Sequence, residues 1–129
     1  MKVLIVDDNE AVTIAMRLLM EEEDFRVRTA RDGKDGYSAY LHFKPDLVIT
    51  DIEMPRKNGF EMMKDIRIHD PEIRAIYMSA DLDRFCPILE QEKKRYRSGI
   101  LGKPFSIIEL VSILSERRGR DGAFRNELD

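Results

Sequence analysis

The chain is poor in the features that mark the more specialised protein classes. A single cysteine, Cys86, stands among its 129 residues, which excludes an intramolecular disulfide framework and a cysteine-rich zinc site and fits a reducing cytoplasm. With no Cys-x-x-Cys and no evident activating partner, Cys86 is expected to serve ordinary packing. No apolar run approaches the roughly 20 residues that span a bilayer, and Met1-Lys2 leads directly into a strand with no signal-peptide pattern. A cytoplasmic chain without a membrane partner is therefore expected. Nor is there a strong excess of one charge. A net charge of -3 and a pI near 5.5 argue against a surface whose main task is direct nucleic-acid binding. Internal repeats and low-complexity stretches are also missing. What is present, 43% apolar residues with charges spread throughout, suits one domain with a real core.

The apolar residues fall into alternating short runs and helical stripes. Residues 3–6 read as a strand, and Asp8 or Asn9 can cap a helix to about Glu22 with Ala11, Ile14, Ala15 and Leu18 as its buried stripe. Phe25, Val27 and Thr29 alternate with Arg26 and Arg28, the pattern of a strand near a sheet edge. A helix from about Lys34 to Phe43, with Tyr37, Tyr40 and Phe43 inward, ends before Pro45. A strand ending at Asp51, a helix from Gly59 to about Ile68 and a strand over 75–78 follow. From Leu82 to Ser98 the pattern weakens. Pro87 suits the first turn of a helix, but beyond Ile88 and Leu89 only Tyr96 offers an apolar anchor, so a helix there is expected to be weakly held. A short strand at Ile100-Leu101 precedes Ser106-Ile107-Ile108-Glu109, a capping-box pattern opening a last helix that buries Ile107, Leu110, Val111 and Leu114. The polar tail from Gly119 has no periodicity. Five β units alternating with five α units imply an α/β fold, a parallel sheet covered on both faces and joined by right-handed crossovers.

Three of these strands end in polar residues. Val3-Leu4-Ile5-Val6 runs into Asp7 and Asp8, Leu47-Val48-Ile49-Thr50 into Asp51, and Ile76-Tyr77-Met78 into Ser79. Ligands of open α/β sheets bind at the carboxyl ends of the strands, so the chemistry is expected there. Asp7, Asp8 and Asp51 together can hold a hard divalent cation such as Mg²⁺ (or Mn²⁺). Asp7 and Asp8 alone would read as caps of the first helix, but capping does not account for a third carboxylate ending a neighbouring strand. Clustered anions raise one another's pKa until a cation arrives. Lys103 adds a positive charge and Ser79 a hydroxyl, and the set has what phosphoryl transfer requires: metal, cationic clamp and hydrogen-bond donors. A carboxylate can then act as nucleophile to give an aspartyl phosphate.

In Val6-Asp7-Asp8, Pro45 to Pro55 around Asp51, Gly59, Ser79-Ala80 and Lys103-Pro104-Phe105, in this order and spacing, the chain resembles the receiver domain of two-component response regulators from about Lys2 to Arg118. The resemblance implies a flavodoxin-like doubly wound (βα)5 sandwich of strand order 2-1-3-4-5, with a receiver domain over 1–118 and a polar tail or linker over 119–129. It implies that Asp51 accepts a phosphoryl group from a sensor histidine kinase or phosphotransfer protein. Asp8 and Asp51 would hold Mg²⁺ directly, Asp7 largely through water, and the backbone carbonyl of Glu53 would complete the ligands. Ser79 and Lys103 would contact the phosphoryl oxygens, and Lys103-Pro104 would be a cis peptide. The chain would then catalyse only its own phosphorylation and dephosphorylation, and would switch the 82–118 face toward an output domain, a target protein or a second copy in a homodimer.

The chain departs from the family pattern at several positions. Ile100 stands where the family often has an aromatic ring that turns inward when Ser79 engages the phosphate. Glu53 and Asp81, at positions that modulate the phosphoryl group's gain and loss, are both acidic and are expected to repel anionic donors. The stretch from Ser79 to Lys103 lacks the usual alanine-rich helix. Two other readings stand beside the receiver: a small phosphohydrolase using an aspartyl phosphate, which would want a second Asp where Glu53 stands, and a degenerate receiver acting as a protein-binding module. His42 and His69 have no second ligand at metal spacing, Lys93-Lys94-Arg95 reads as a solvated helix face, and Met62, Met63 and Met78 read as core.

Overall fold

The computed structural model describes residues 1–106 and 108–114. Strands β1 (Lys2–Val6), β2 (Arg26–Ala30), β3 (Leu47–Asp51), β4 (Arg74–Ser79) and β5 (Ser98–Gly102) alternate with helices α1 (Glu10–Glu22), α2 (Gly33–Phe43), α3 (Gly59–His69) and α4 (Cys86–Arg95). Residues 108–114 form α5, and a 3-10 turn, Leu82–Phe85, leads into α4. All strand pairings are parallel, in the order β2-β1-β3-β4-β5. This is the flavodoxin-like order implied by the resemblance. Val6 lies opposite Thr50, Asp51 opposite Met78 and Ser79 opposite Gly102, so the carboxyl ends of the central strands are level.

Successive strand residues point to opposite faces, and each face has its own core. Leu4, Val6, Val48 and Tyr77 meet Tyr40 of α2, Met62, Met63 and Ile66 of α3 and Leu89 of α4. Val3, Ile5, Ile49 and Met78 meet Met16 and Met20 of α1 and Leu110, Ile113 and Leu114 of α5. Covering both faces explains why these strands are continuous apolar runs. Two glycines allow close approaches between helix, strand and loop: a Cβ on Gly36 of α2 would strike the Met62 sulfur and Val6, and one on Gly59 would sit 2.5 Å from the Asp51 carbonyl oxygen.

The buried stripe of α1 differs from the sequence expectation. Thr13, Met16 and Met20 face the sheet, whereas Ala11 and Ala15 are exposed and Ile14 and Leu18 are 51% and 59% exposed. The helix is apolar around much of its circumference, so helical spacing alone admits more than one phase. Rotation is set by the short connection from Asp7 and by Asn9, whose side chain accepts from the Val12 N–H. Thr13 is buried because its hydroxyl donates to the Glu10 carbonyl at 2.9 Å. In α5, Val111 is likewise exposed while Leu110, Ile113 and Leu114 are buried; Ile107 lies outside the described residues. The expected capping box is present, with Ser106 N donating to Glu109 and Glu109 N to the Ser106 hydroxyl. Cys86 is exposed at the start of α4, outside the packing expected of it, because the helix turns its single buried contact, Leu89, to the sheet.

The stretch from Leu82 to Ser98 does form a helix, held mostly by polar means. Glu92 of α4 accepts 2.7 Å hydrogen bonds from the hydroxyl of Tyr77 in β4 and from Arg67 of α3. The Arg67 guanidinium also lies 3.9 Å from the Tyr96 ring centroid, a stacked cation–π contact. Burial pushes the Tyr77 hydroxyl far above its ordinary pKa, and the bond to Glu92 adds to this over the opposing Arg67 charge. It therefore remains a protonated donor.

Candidate functional site

The level strand ends bring the predicted acids together. Asp7 follows β1 and is 1% exposed. Its N–H donates to the Ala30 carbonyl, and its Oδ1 accepts from the Asn9 N–H at 2.8 Å. Because Asn9 caps α1, Asp7 and the exposed Asp8 are not occupied as caps. Asp51 ends β3, with Oδ1 accepting from the Ile52 N–H at 3.0 Å. One carboxylate oxygen from each of Asp7, Asp8 and Asp51 lies within 4.8 Å of the others. Lys103, just past β5, reaches back so that its Nζ lies 2.5 Å from Asp7 Oδ2 and 3.5 Å from Asp51 Oδ2. The Lys103-Pro104 peptide is cis.

The acids disturb one another as clustered anions should. Burial, followed by the Asp7 charge, pushes the Asp51 carboxyl up to about 6 against the opposing pull of Lys103. Burial lowers Lys103, but its bonds to Asp7 and Asp51 outweigh this and leave its pKa above the ordinary lysine value. Three carboxylates facing one ammonium leave an excess of two negative charges when all are ionised. Hard oxygen donors with this charge fit a divalent cation of the Mg²⁺ type.

Other predicted residues surround this cluster. Ser79 is 4% exposed, and its hydroxyl oxygen accepts from the Asp81 N–H at 2.9 Å. Its carbonyl accepts from the Lys103 N–H at 2.8 Å, so the ends of β4 and β5 are joined at the site. Ile100 lies opposite Tyr77 in the sheet and packs against the core below Ser79. Asp81 is exposed before the 3-10 turn. The Glu53 charge is paired: Arg84 of the 3-10 turn donates to Glu53 Oε2 at 2.8 Å. The histidines lie elsewhere, His69 bonded to the Tyr37 hydroxyl and His42 to the Ser38 carbonyl.

Sequence reasoning missed three contacts around the site. Arg84 on Glu53 is one, and the Arg67–Glu92–Tyr77 tie beneath Ser79 is another. The third joins buried Asp32, the cap of α2, to Arg56 in the loop after Asp51, with Arg56 Nε at 3.0 Å. Arg56 has a φ of 70°, a left-handed conformation uncommon outside glycine, and Gly33 N donates to the adjacent Lys57 carbonyl. Each pair spans at least fifteen residues, and no local pattern announces it.

Comparison with known proteins agrees with the geometry. Residues 3–115 match the family described as the response regulator receiver domain. Sporulation initiation phosphotransferase F of Bacillus subtilis is 30% identical over 111 residues, covering 84% of this chain and 86% of that protein. Transcriptional regulatory protein CpxR of Klebsiella pneumoniae is 36% identical over 113 residues, covering 86% of this chain but only 46% of the regulator. The structure of chemotaxis response regulator CheY4 of Vibrio cholerae superposes with a TM-score of 0.79 at 25% identity, over 89% of this chain and 96% of that one. Receiver domains of this kind are phosphoacceptors that bind Mg²⁺ in an acidic pocket and work with histidine kinases or phosphotransfer proteins. With its strand order, acidic pocket and matched span in agreement, this chain belongs to the response regulator receiver domain family of two-component signalling.

Proposed function

We propose that Asp51 is the phosphoacceptor of this receiver domain, and that the observation carrying this reading is the placement of Lys103 Nζ between Asp7 and Asp51 in a three-carboxylate cluster. With a pKa near 6, Asp51 is mostly ionised at neutral pH and can act as nucleophile. A carboxylate oxygen of Asp51 attacks the phosphorus of a phosphohistidine. The phosphorus–nitrogen bond breaks, its electron pair stays on the imidazole nitrogen, and that nitrogen takes a proton from solvent. The product is an aspartyl phosphate. Bound Mg²⁺ (or Mn²⁺) would supply charge neutralisation for the transferring group, held by Asp8 and Asp51, by Asp7 through water and by the Glu53 carbonyl. Lys103 and the Ser79 hydroxyl would bind the phosphoryl oxygens.

Movement of Ser79 and Lys103 toward the phosphoryl group would pull on the ends of β4 and β5, which border the segment from Leu82 to Ser98. With Ile100 in place of a ring, the change would pass through that segment and the 82–118 face, on which an output domain, a target or a second copy would dock. Residues 115–118 of that face and the proposed tail at 119–129 lie outside the described residues. The proposed setting is the cytoplasm; no helix among the described residues is long and apolar enough to cross a membrane. A phosphohydrolase would use an acid at position 53 in the site. The Glu53 carboxylate instead meets Arg84, with both side chains more than half exposed, so that reading is not favoured.

Mass spectrometry after incubation with acetyl phosphate and Mg²⁺ tests the proposal. One labile adduct is expected, absent in EDTA and absent in Asp51→Asn; an adduct that persists in Asp51→Asn overturns the assignment.

A further inference from the structure

Arg84 enters none of the roles assigned above, yet its side chain bridges two loops that leave the site. Asp51 pairs with Met78 in the sheet, and the Ile52 N–H donates to the Met78 carbonyl at 3.0 Å, so the chain segments following β3 and β4 start side by side. Glu53 lies two residues past Asp51, and Arg84 five past Ser79. Their 2.8 Å ion pair closes across the gap between these loops, with side-chain exposures of 55% and 60%. The Arg84 guanidinium also lies 5.1 Å from the Phe85 ring centroid. Phe85 is joined to the core through Phe60, which contacts the ring of Tyr77.

The energetics make this arginine exchangeable. An exposed ion pair contributes little net stability, so Arg84 can leave Glu53 readily. Guanidinium groups bind phosphate oxygens through paired, charge-assisted hydrogen bonds. The aromatic shelf under Arg84 limits the space its head must search. Resting on the phosphoacceptor reading, we propose that Arg84 is a donor-binding and specificity-determining residue: it leaves Glu53 for the phosphoryl oxygens of an incoming dianionic donor such as an acyl phosphate. Glu53 then acts as the competitor that keeps Arg84 occupied until a donor of sufficient charge arrives.

The test compares the rate of adduct formation in Mg²⁺ for the unaltered chain, Arg84→Gln, Glu53→Gln and the double variant. Acetyl phosphate serves as the dianionic donor, and phosphoramidate, with one negative charge less at neutral pH, as the weaker anion. Arg84→Gln should slow acetyl phosphate roughly fivefold, the size expected for one partly screened charge. The loss should persist in the Glu53→Gln background, be smaller with phosphoramidate and shrink with added salt. Glu53→Gln alone should speed acetyl phosphate. A loss that vanishes in the Glu53→Gln background would reduce Arg84 to a neutraliser of Glu53 and overturn the proposal. Equal, salt-independent losses with both donors would mark a structural effect and overturn it too. Labelling of the unaltered chain decides the phosphoacceptor reading separately: no adduct at all defeats both, whereas normal labelling without an Arg84 effect defeats only this inference.

Discussion

Helices α3 and α4 cover the same face of the sheet, yet they are fastened to it by opposite means. α3 opens with a full capping box between Asn58 and Glu61 and buries Met62, Met63 and Ile66 completely. α4 opens at Phe85 with no side-chain cap, buries only Leu89, and is otherwise tied by Glu92 to Tyr77 and Arg67. Apolar burial is non-directional and scales with area, so α3 is fixed by many small contributions. A charge-assisted bond depends on geometry, so the polar tie at Glu92 that supplements Leu89 can be disturbed by a small movement of β4. Tyr77 lies two residues from Ser79 on the same strand face, which puts that contact next to the site. Segments with few buried contacts open at low free energy, so of these two helices α4 is the one that opens more readily.

The largest test of this contrast is to remove one apolar anchor from each helix. Ile66→Ala should lower global stability by about 2–5 kcal/mol, read by urea denaturation. Leu89→Ala should show a smaller global loss and faster amide exchange confined to α4. Equal global losses without local exchange would break the comparison.

Cutting the polar tie comes next. Glu92→Ala leaves the Tyr77 hydroxyl and Arg67 without their acceptor and should cost about 2 kcal/mol, whereas Tyr77→Phe, which removes one donor and keeps the ion pair, should cost about 1 kcal/mol. Both should raise exchange in α4 and leave α3 protected. A neutral Glu92→Ala in denaturation would show that Leu89 alone holds the helix.

A further effect, comparable to the loss of one donor, comes from pH. The folded chain holds the Asp51 proton with a pKa of about 6 against an ordinary 3.8. The stability this gives is complete below about pH 4 and is lost as pH rises through 6. In EDTA the loss should amount to about 1–2 kcal/mol after allowance for solvent screening, and Asp51→Asn should remove that part of the pH dependence. The sharper form of the test follows exchange in both helices across the same range: α4 should respond and α3 should not. Denaturation curves of Asp51→Asn that keep the full pH slope would assign it to other groups.

What could be read from the sequence follows the same division. Strands β1, β3 and β4 were legible because burial on both faces makes them apolar runs, and Asp7, Asp8 and Asp51 were legible because such runs end in them. The phase of α1 was not, since Ile14, Leu18, Met16 and Met20 offer competing apolar faces and the cap at Asn9 decides between them. α4 carries few apolar anchors for a sequence pattern to register, and Glu92 counts as a surface residue until Tyr77 and Arg67 are seen beside it. The Arg84–Glu53 pair and the preference of Lys103 for Asp7 over Asp51 depend on loop paths that carry no periodic signal.

The two glycine contacts have a consequence for how this molecule can diversify. Gly36 against Met62 and Val6, and Gly59 against the Asp51 carbonyl, leave no room for a side chain, so substitution on the α2–α3 side is restricted at the positions that set the approach of helix, loop and strand. Across the sheet face, Glu90, Gln91, Lys93 and Lys94 of α4 point to solvent and can be exchanged with small effect on stability. A lineage carrying this fold can therefore vary the solvent side of α4 freely while the contacts of α2 and α3 with the sheet and the Asp51 loop stay fixed.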